Sequence, residues 1–258
     1  MKCQICDSKT KGIFTHKILN KYEAEYMQCP VCEALFIKEP FWLQEAYSDA
    51  IASIDTGVML RNMEMSEKMD FLLSSYYGKE NSSFLDYGGG YGIFTRMMRD
   101  RGYDYLWYDK YAQPLLARGF EYQNQKVAAV TAFELFEHFT NPIMEIEEIF
   151  KYSKEVIFST ECYGADLEIP DTEWPYFAYE SGQHTFFYSK KTLKYIAEKY
   201  NLEYRNVLGL HWFTQKSPKD AELKALSQKY YRKHRKNIYD YSYAVKDAEW
   251  LKNQCKKM

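Results

Sequence analysis

The chain has 258 residues, of which 46% are hydrophobic, and a formal net charge of −2. This length suits one sizeable α/β domain with small appendages, and the lack of any run of about 18 apolar residues argues against a membrane-spanning helix. The first residues, Met1-Lys2-Cys3, contain no apolar leader segment. We therefore expect a cytoplasmic protein whose cysteines are reduced.

Two Cys-x-x-Cys pairs stand near the N-terminus, Cys3 with Cys6 and Cys29 with Cys32. Four thiolates at this spacing are typical of a tetrahedral zinc site, and such a zinc ion is structural because no coordination position stays open. Two disulfides are the alternative, which a reducing compartment disfavours. His16 lies between the pairs, either as a further ligand or as a solvated loop histidine.

The predicted zinc module covers residues 1–40, and three further parts follow it. Residues 41–80 have the apolar periodicity of helices, residues 81–216 alternate between predicted strands and helices, and residues 217–258 form a basic helical tail. Counted from Lys216, the tail carries 12 Lys/Arg against 5 Asp/Glu, which leaves 22 basic and 31 acidic residues elsewhere. A solvated helical face is the ordinary role of such a tail, and contact with phosphates or an acidic partner is the alternative.

A glycine-rich turn between a strand and a helix is the most informative motif. Residues 84–87 are largely apolar apart from Asp86, glycines follow at Gly88, Gly90 and Gly92, and a helical pattern begins directly afterwards. Glycines at these positions allow the backbone to turn sharply and to approach a ligand closely. The first N–H groups of the helix then face that ligand.

A second acidic residue, Asp109, follows the next predicted strand at residues 103–108 and lies 23 positions after Asp86. In a doubly wound sheet, a carboxylate at this place accepts hydrogen bonds from both hydroxyls of a ribose; a solvated turn aspartate is the alternative. The glycine turn lacks the Gly-x-x-x-x-Gly-Lys-Ser/Thr sequence of a triphosphate site, and its GxGxG spacing differs from the GxGxxG of dinucleotide sites. The combination predicts a site for a nucleoside-type cofactor.

Predicted strands and helices continue to alternate after this turn. Residues 129–138 contain an apolar strand that runs into a Glu-x-x-Glu-His sequence, interpreted as a helix start. Asn141 and Pro142 begin a further helix, because an amide oxygen caps the helix and proline suits its first position. Residues 155–160 are the next predicted strand.

The end of the predicted core has its own boundary signals. Ser189 precedes an amphipathic helix, and residues 202–208 and 210–215 are predicted to form a terminal antiparallel pair of strands. Only 17 residues separate Asp109 from Val127. Because this is short for a helix, a strand and another helix, we expect an abbreviated sheet at this point.

The stretches 84–92, 129–138 and 155–160, together with Asp109, resemble the class I S-adenosylmethionine-dependent methyltransferases. The resemblance implies an α/β fold with a Rossmann-like sheet and helices on both faces, and S-adenosylmethionine as the cofactor. It also implies cofactor-binding roles for Asp86, Tyr87, Gly88, Gly90, Gly92, Asp109, Lys110, Phe133, Glu134 and Arg61. Arg61 would reach the carboxylate of the methionine moiety; a surface ion pair is an equally open role.

The segment 161–184 follows a predicted strand at the edge where ligands bind in open α/β sheets. Its aromatic residues either stack on a sugar ring or a base, or bury the segment on the core. A hydroxyl acceptor needs a base that takes up its proton during methyl transfer. His184 is the preferred base because its unperturbed pKa is near neutral, and Glu180 is close enough in sequence to orient it or to bind the acceptor.

His138 is the competing candidate for the base. If a helix begins near Phe133, Glu134 and His138 share one of its faces at positions i and i+4. A mechanism without a base, driven by proximity alone, is the third possibility.

The tripeptide Gly182-Gln183-His184, together with the cysteine pairs, resembles methyltransferases that act on sugars in natural-product and cell-surface glycan pathways. The resemblance implies O-methylation of a sugar or a related small polar acceptor. Carbon methylation of nucleotide sugars is disfavoured. The enzymes that catalyse it have a C-terminal domain as large as their core, whereas the predicted tail of this chain covers only residues 217–258.

The sequence leaves two alternative functions open. One is an RNA methyltransferase with a zinc-knuckle substrate module, although the acidic body lacks the basic face that RNA requires. The other is a non-catalytic module that binds S-adenosylmethionine or protein partners. The combined presence of Asp86, the glycines and Asp109 disfavours this second alternative.

Overall fold

A computed structural model of the chain describes residues 1–47, 55–80, 82–164, 168–234 and 244–255. The chain divides into two compact units, one of Met1–Ser48 with Ala129–Ser217 and the other of Asp49–Ala128 with Pro218–Met258. This division differs from the predicted boundaries, because the N-terminal cysteines share a unit with the second half of the predicted core. Among the described residues, no helix combines the length and the apolarity that crossing a bilayer requires.

Strands and helices alternate along most of the described chain, as the sequence predicts for an α/β protein. The strands are β1 (Lys11–Ile18), β2 (Tyr22–Gln28), β3 (Leu35–Ile37), β4 (Ser83–Tyr87), β5 (Asp104–Tyr108), β6 (Ala129–Ala132), β7 (Val156–Phe158), β8 (Cys162–Tyr163), β9 (Phe186–Ser189), β10 (Glu203–Val207) and β11 (Leu210–Thr214). The helices are α1 (Leu43–Ala46), α2 (Val58–Tyr76), α3 (Ile93–Asp100), α4 (Pro142–Phe150), α5 (Lys190–Lys199), α6 (Asp220–Lys233) and α7 (Ala244–Cys255). Short 3₁₀ turns occupy Phe136–His138 and Pro175–Phe177.

The first unit contains a five-stranded sheet in the order β1-β2-β3-β9-β8. Strands β1, β2 and β3 are antiparallel, and β3 pairs antiparallel with β9, where Leu35 lies opposite Phe187. Strand β8 then lies parallel to β9. Backbone pairing therefore joins the N-terminal segment to a strand that occurs 152 residues later in the chain.

The same unit holds a second group of strands in the order β10-β11-β7-β6. Strands β6 and β7 are parallel, whereas β11 runs antiparallel to both β7 and β10. The β10–β11 pair confirms the predicted terminal strands. Every residue of β6 and β7 is buried, as expected for short strands that are covered on both faces.

Helices α4 and α5 begin where the sequence predicts. The Asn141 side chain accepts a hydrogen bond from the first turn of α4, and Pro142 is the first helical residue. Ser189 and Thr192 exchange side-chain and backbone hydrogen bonds at 3.1 and 3.2 Å, which forms a capping box. The Thr192 hydroxyl also donates to the Cys32 carbonyl at 2.8 Å, so the start of α5 is bonded to the second cysteine pair.

The second unit contains the parallel pair β4–β5, connected by α3. The rings of Phe84 and Tyr105 stack between these strands with centroids 5.5 Å apart. Residues 110–128 are all described, and they contain no strand beyond an isolated bridge at Glu121. The short spacing between Asp109 and Val127 therefore predicted the abbreviated region correctly.

The C-terminal tail is helical within its described part, in agreement with the sequence. Helix α6 packs on α2, where the rings of Phe71 and Tyr230 meet edge to face at 5.6 Å. His234, at the end of α6, lies 3.8 Å from Glu67 on α2. Residues 235–243 of the basic tail are outside the described residues.

The prediction of a helix that begins near Phe133 is wrong. Glu134 adopts a left-handed backbone conformation with φ of 50°, and only the single 3₁₀ turn at 136–138 follows before α4. The cause is a pair of hydrogen bonds to Ser159, whose hydroxyl accepts from the Glu134 backbone at 2.8 Å and donates to its carboxylate at 2.7 Å. Glu134 and His138 are therefore not related by one helical turn.

Aromatic residues of the 161–184 segment contribute to the core of the first unit. Phe177 is fully buried, and its ring contacts those of Phe14, Tyr26 and Phe187 at centroid separations of 4.9 to 5.6 Å. Of the two roles open from the sequence, Phe177 has the packing role. The segment is thereby attached to the N-terminal sheet.

We expect Phe177→Ala to lower the free energy of unfolding by about 3–5 kcal/mol, because it removes a fully buried ring and leaves a cavity. Urea denaturation followed by near-UV circular dichroism measures this change. Phe41→Ala is the matched control: this side chain is 67% exposed, so its loss should cost less than about 0.5 kcal/mol. Equal losses in the two variants would contradict the packing role.

Candidate functional site

The glycine turn joins β4 to α3 and depends on three left-handed glycines. Gly88, Gly90 and Gly92 have φ values of 74°, 51° and 81°. Residues with a side chain rarely adopt such positive φ values, because their Cβ atom clashes with the backbone. A Cβ on Gly92 would lie only 2.6 Å from the Cβ of Ala117. At Gly90, by contrast, an added Cβ would meet no atom of the described residues within 4 Å, so the loop is open at this point.

Asp86 lies at the end of β4, next to this turn, and only 3% of its surface is exposed. Its Oδ2 accepts a hydrogen bond from the buried Thr95 hydroxyl of α3 at 2.8 Å. The same oxygen would lie 2.7 Å from a Cβ placed on Gly89. Asp86 thus joins the strand end to the helix that follows, and its contact with a cofactor stays a prediction.

Asp109 follows β5 and connects the glycine turn to the next turn of the chain. Its Oδ2 accepts from the Gly90 N–H at 2.9 Å, and its Oδ1 accepts from the N–H groups of Tyr111 and Ala112 at 2.7 and 2.8 Å. A carboxylate oxygen has two acceptor positions. Oδ2 therefore keeps the capacity to accept a ligand hydroxyl beside the open glycine.

The remaining predicted cofactor residues have varied surroundings. Arg61, on α2, donates to both carboxylate oxygens of Asp55 at 2.8 and 2.6 Å, the ion pair that the sequence left open. Tyr87 is buried, with its ring 5.1 Å from that of Tyr108, while Lys110 is exposed. Phe133 and Glu134 belong to the other unit, and the role of all these residues toward a cofactor stays a prediction.

The four N-terminal cysteines come together as predicted. The sulfur of Cys3 lies 3.5 Å from that of Cys32, the sulfur of Cys6 lies 3.4 Å from that of Cys29, and all four are within 4.8 Å of one another. A disulfide would require about 2.05 Å, whereas sulfurs around a tetrahedral zinc ion are about 3.8 Å apart. The donor set and the spacing suit zinc. His16 is not in this cluster of described residues; it stacks on Tyr179 at 3.6 Å.

A second cluster, which we call the histidine cluster, consists of Glu137, His138 and His184 in the first unit. Their potential ligand atoms lie within 4.8 Å of one another, and the rings of the two histidines are perpendicular with centroids 5.0 Å apart. The Thr185 N–H donates to the Glu137 carbonyl at 2.8 Å. This bond holds the 3₁₀ turn against the residue that follows His184.

Both histidines of the cluster make a hydrogen bond through Nδ1. His184 Nδ1 lies 2.6 Å from the Tyr176 carbonyl, which can only accept, so Nδ1 carries a proton, and in the neutral ring the lone pair is on Nε2. His138 Nδ1 lies 2.8 Å from the Tyr47 hydroxyl, which donates to the Gln183 carbonyl at 3.5 Å.

Burial controls the charge of this cluster. The pKa of Glu137 is raised to about 8, mainly because the carboxyl group is buried and to a smaller extent because of the charge of Glu134. The pKa of His138 is lowered well below its ordinary value, mainly by burial and to a smaller extent by the charge of His184. Its side chain nevertheless keeps some exposed surface. Near neutral pH the cluster therefore contains a largely protonated acid and a neutral His138 imidazole.

The structure brings two of the three predicted catalytic residues together. His184 and His138 are neighbours, whereas Glu180 is exposed and, among the described residues, is not a member of the histidine cluster. Glu137 takes the place expected for Glu180. Its sequence signal was the position directly before His138 in the Glu-x-x-Glu-His motif, but that signal carries no information on the distance to His184.

A surface cavity of about 490 Å³ lies beside β8 in the first unit. The residues that line it include Glu161, Glu168, Asp171, Glu173 and Trp174. Carboxylates accept hydrogen bonds and aromatic rings stack on apolar faces. The lining therefore suits a polar ligand with several hydrogen-bond donors.

The family model described as a methyltransferase domain matches residues 59–207. The chain belongs to this methyltransferase family. It is a class I, S-adenosylmethionine-dependent methyltransferase, as the glycine turn and Asp109 predicted, and its mixed α/β architecture agrees with the Rossmann-like fold. No curated protein matched the sequence of the methyltransferase.

Several solved methyltransferase structures resemble this methyltransferase at low sequence identity. The plantazolicin methyltransferase BpumL in complex with SAH is 16% identical, with a TM-score of 0.48 over 75% of this chain and 90% of that chain. An O-methyltransferase family protein from Burkholderia thailandensis is 11% identical, with a TM-score of 0.44 over 69% and 68% of the two chains. Magnesium protoporphyrin IX methyltransferase (ChlM) from Synechocystis PCC 6803 with bound SAH is 12% identical, with a TM-score of 0.41 over 67% and 93%.

Proposed function

We propose that this methyltransferase transfers a methyl group to a hydroxyl oxygen of a sugar or a related small polar acceptor in glycan or natural-product biosynthesis. The observation that carries the proposal is the tautomer of His184. Its Nδ1 proton is bonded to the Tyr176 carbonyl, so the lone pair on Nε2 can take up a proton. An oxygen acceptor needs such a base.

The glycine turn and Asp109 are the proposed holders of S-adenosylmethionine. The open position at Gly90 allows a ligand to approach the backbone closely, and Asp109 Oδ2 keeps an acceptor position for a ribose hydroxyl. When bound, the sulfonium supplies an electrophilic methyl group. Asp86 is proposed to stabilise this loop through its hydrogen bond with Thr95.

His184 is the proposed base for the acceptor hydroxyl. The hydrogen bond to Tyr176 fixes the imidazole ring, and the buried His138 beside it stays neutral, so two positive charges do not accumulate. Glu180 keeps the subsidiary role of contacting the acceptor from the exposed turn.

The cavity beside β8 supports a polyhydroxylated acceptor. Carboxylates in its lining accept hydrogen bonds from sugar hydroxyls, and Trp174 offers a flat apolar surface on which a sugar ring can stack. The same carboxylates repel nucleic-acid phosphates. An RNA acceptor is therefore the less favoured alternative.

A structural zinc ion at the four cysteines completes the proposal. Its sulfur ligands leave no open coordination position. The bond from Thr192 to the Cys32 carbonyl joins the site to α5, so the zinc ion would stabilise the unit that carries His184.

Incubation with methyl-labelled S-adenosylmethionine tests the acceptor class directly. Separate reactions contain nucleotide sugars, extracted oligosaccharides, total RNA or a peptide mixture, and the labelled product is located by mass spectrometry. We expect an O-methyl sugar that is stable to mild base. Label recovered in RNA, with binding that weakens steeply as salt rises, would replace the sugar proposal.

Gly90→Ala should weaken the binding of S-adenosylhomocysteine by about ten- to one-hundredfold, because its methyl group fills the open space at the loop. Gly119→Ala is the control, since Gly119 also has a positive φ, of 85°, and also meets no described atom within 4 Å. Isothermal titration calorimetry compares the two variants. Equal affinities would show that the glycine loop does not contact the cofactor.

His184→Ala should lower kcat by about 10²- to 10⁴-fold while leaving the affinity for S-adenosylhomocysteine near that of the wild type. Added imidazole should restore part of the turnover, which a purely structural role would not allow. His16→Ala serves as the control because His16 lies in β1, stacked on Tyr179. Undiminished turnover in the His184 variant would remove this residue from the mechanism.

Elemental analysis of the purified wild type should find at least one zinc ion per chain, and Cys32→Ser should lose the zinc ion of the four cysteines together with a lower melting temperature. Cys162→Ser is the matched control, because Cys162 is a free thiol outside the four-cysteine cluster. A wild-type protein without zinc, or a Cys32 variant that retains it, would contradict the proposed ligand set.

A further inference from the structure

The histidine cluster has the composition of a second metal site, distinct from the four cysteines. We propose that Glu137, His138 and His184 bind a divalent transition-metal ion through two imidazole nitrogens and one carboxylate. Two histidines and one carboxylate with further positions open are a recurrent ligand set for such ions. The inference goes beyond the proposed methyl transfer and concerns cation binding itself.

The distances within the cluster are compatible with this role. Ligand atoms at about 2.1 Å from a metal ion are about 3.0–3.4 Å apart, and the candidate atoms already lie within 4.8 Å of one another. The two imidazole rings are perpendicular, so their nitrogens can occupy different coordination positions.

Both histidines have the second hydrogen bond that is typical of metal ligands. His184 donates from Nδ1 to the Tyr176 carbonyl at 2.6 Å, and His138 bonds through Nδ1 to the Tyr47 hydroxyl at 2.8 Å. Tyr47 is itself bonded to the Gln183 carbonyl. Such bonds orient the rings of metal-binding histidines.

Glu137 supplies an independent observation. Its surface is 0% exposed, and within the described part of the chain neither carboxylate oxygen has a partner at hydrogen-bonding geometry. The hydroxyls of Tyr176 and Thr160 lie near Glu137, but they offset only part of the cost of burying its charged carboxylate. A buried carboxyl group without a partner is costly, and a cation bound beside it would remove that cost.

The donor atoms also indicate the class of metal. Two imidazoles and a carboxylate suit cobalt, nickel, iron or zinc in the divalent state, whereas the four thiolates of the N-terminal site select zinc. Three protein ligands leave open positions for water or another oxygen ligand. A cation would use the same lone pair on His184 that the proposed function uses for the acceptor proton, so metal binding and proton uptake exclude one another.

Cobalt titration of the zinc-loaded, full-length protein tests the site without cofactor or acceptor. We expect one Co²⁺ per chain by calorimetry, with visible absorption bands of nitrogen and oxygen ligation and no thiolate-to-cobalt charge transfer. Glu137→Gln should weaken this binding by at least about tenfold. Glu180→Gln makes the same chemical change on an exposed side chain, and it should bind Co²⁺ as the wild type does.

His184→Gln provides a second variant that does not depend on the buried carboxyl group, and circular dichroism checks the fold of each variant. Identical Co²⁺ titrations of the wild type and the Glu137 and His184 variants would overturn the proposal, as would thiolate charge-transfer bands. Methyl transfer is assayed separately, without added cobalt; cobalt binding by a protein that transfers no methyl group in that assay would count against the proposed function alone. Methyl transfer without cobalt binding would count against the metal site alone.

Discussion

The pairing of β3 with β9 is the constraint on which the first unit depends. Leu35 lies opposite Phe187, and the Ile37 N–H donates to the Thr185 carbonyl at 2.9 Å. Thr185 in turn donates to the Glu137 carbonyl. The segment that carries His184 is therefore bonded to the N-terminal sheet on one side and to the 3₁₀ turn on the other, which brings chain positions far apart in sequence into one cluster.

Side chains reinforce this pairing at the turn before His184. The Trp42 ring donates to the Gly182 carbonyl at 2.9 Å, and Gln183 donates to the Ala46 carbonyl at 2.8 Å. Gly182 has a φ of 66°, and a Cβ there would lie 2.8 Å from Ile18. Only glycine suits this close approach. The Gly-Gln-His tripeptide thus combines a tight turn, a backbone contact and the imidazole that the proposed mechanism uses.

The sequence was sufficient to predict those elements whose structure depends on residues close together in the chain. The glycine turn, the Asn141 and Ser189 caps and the β10–β11 pair follow from local patterns, and each is present. The helix expected after Phe133 is absent because Ser159, 25 residues away, bonds to Glu134 and turns the chain. Glu137 was likewise not predicted as a partner of His184, since only the long-range pairing brings them together.

The central claim is that the N-terminal segment and the His184 segment form one cooperative element. Amide hydrogen exchange of the wild type and Leu35→Ala tests it most directly, because Leu35 is fully buried in β3 and lies opposite Phe187. Our account predicts that protection falls together in residues 35–37 and 185–187. Loss of protection in 35–37 alone, with 185–187 exchanging as slowly as in the wild type, would contradict it.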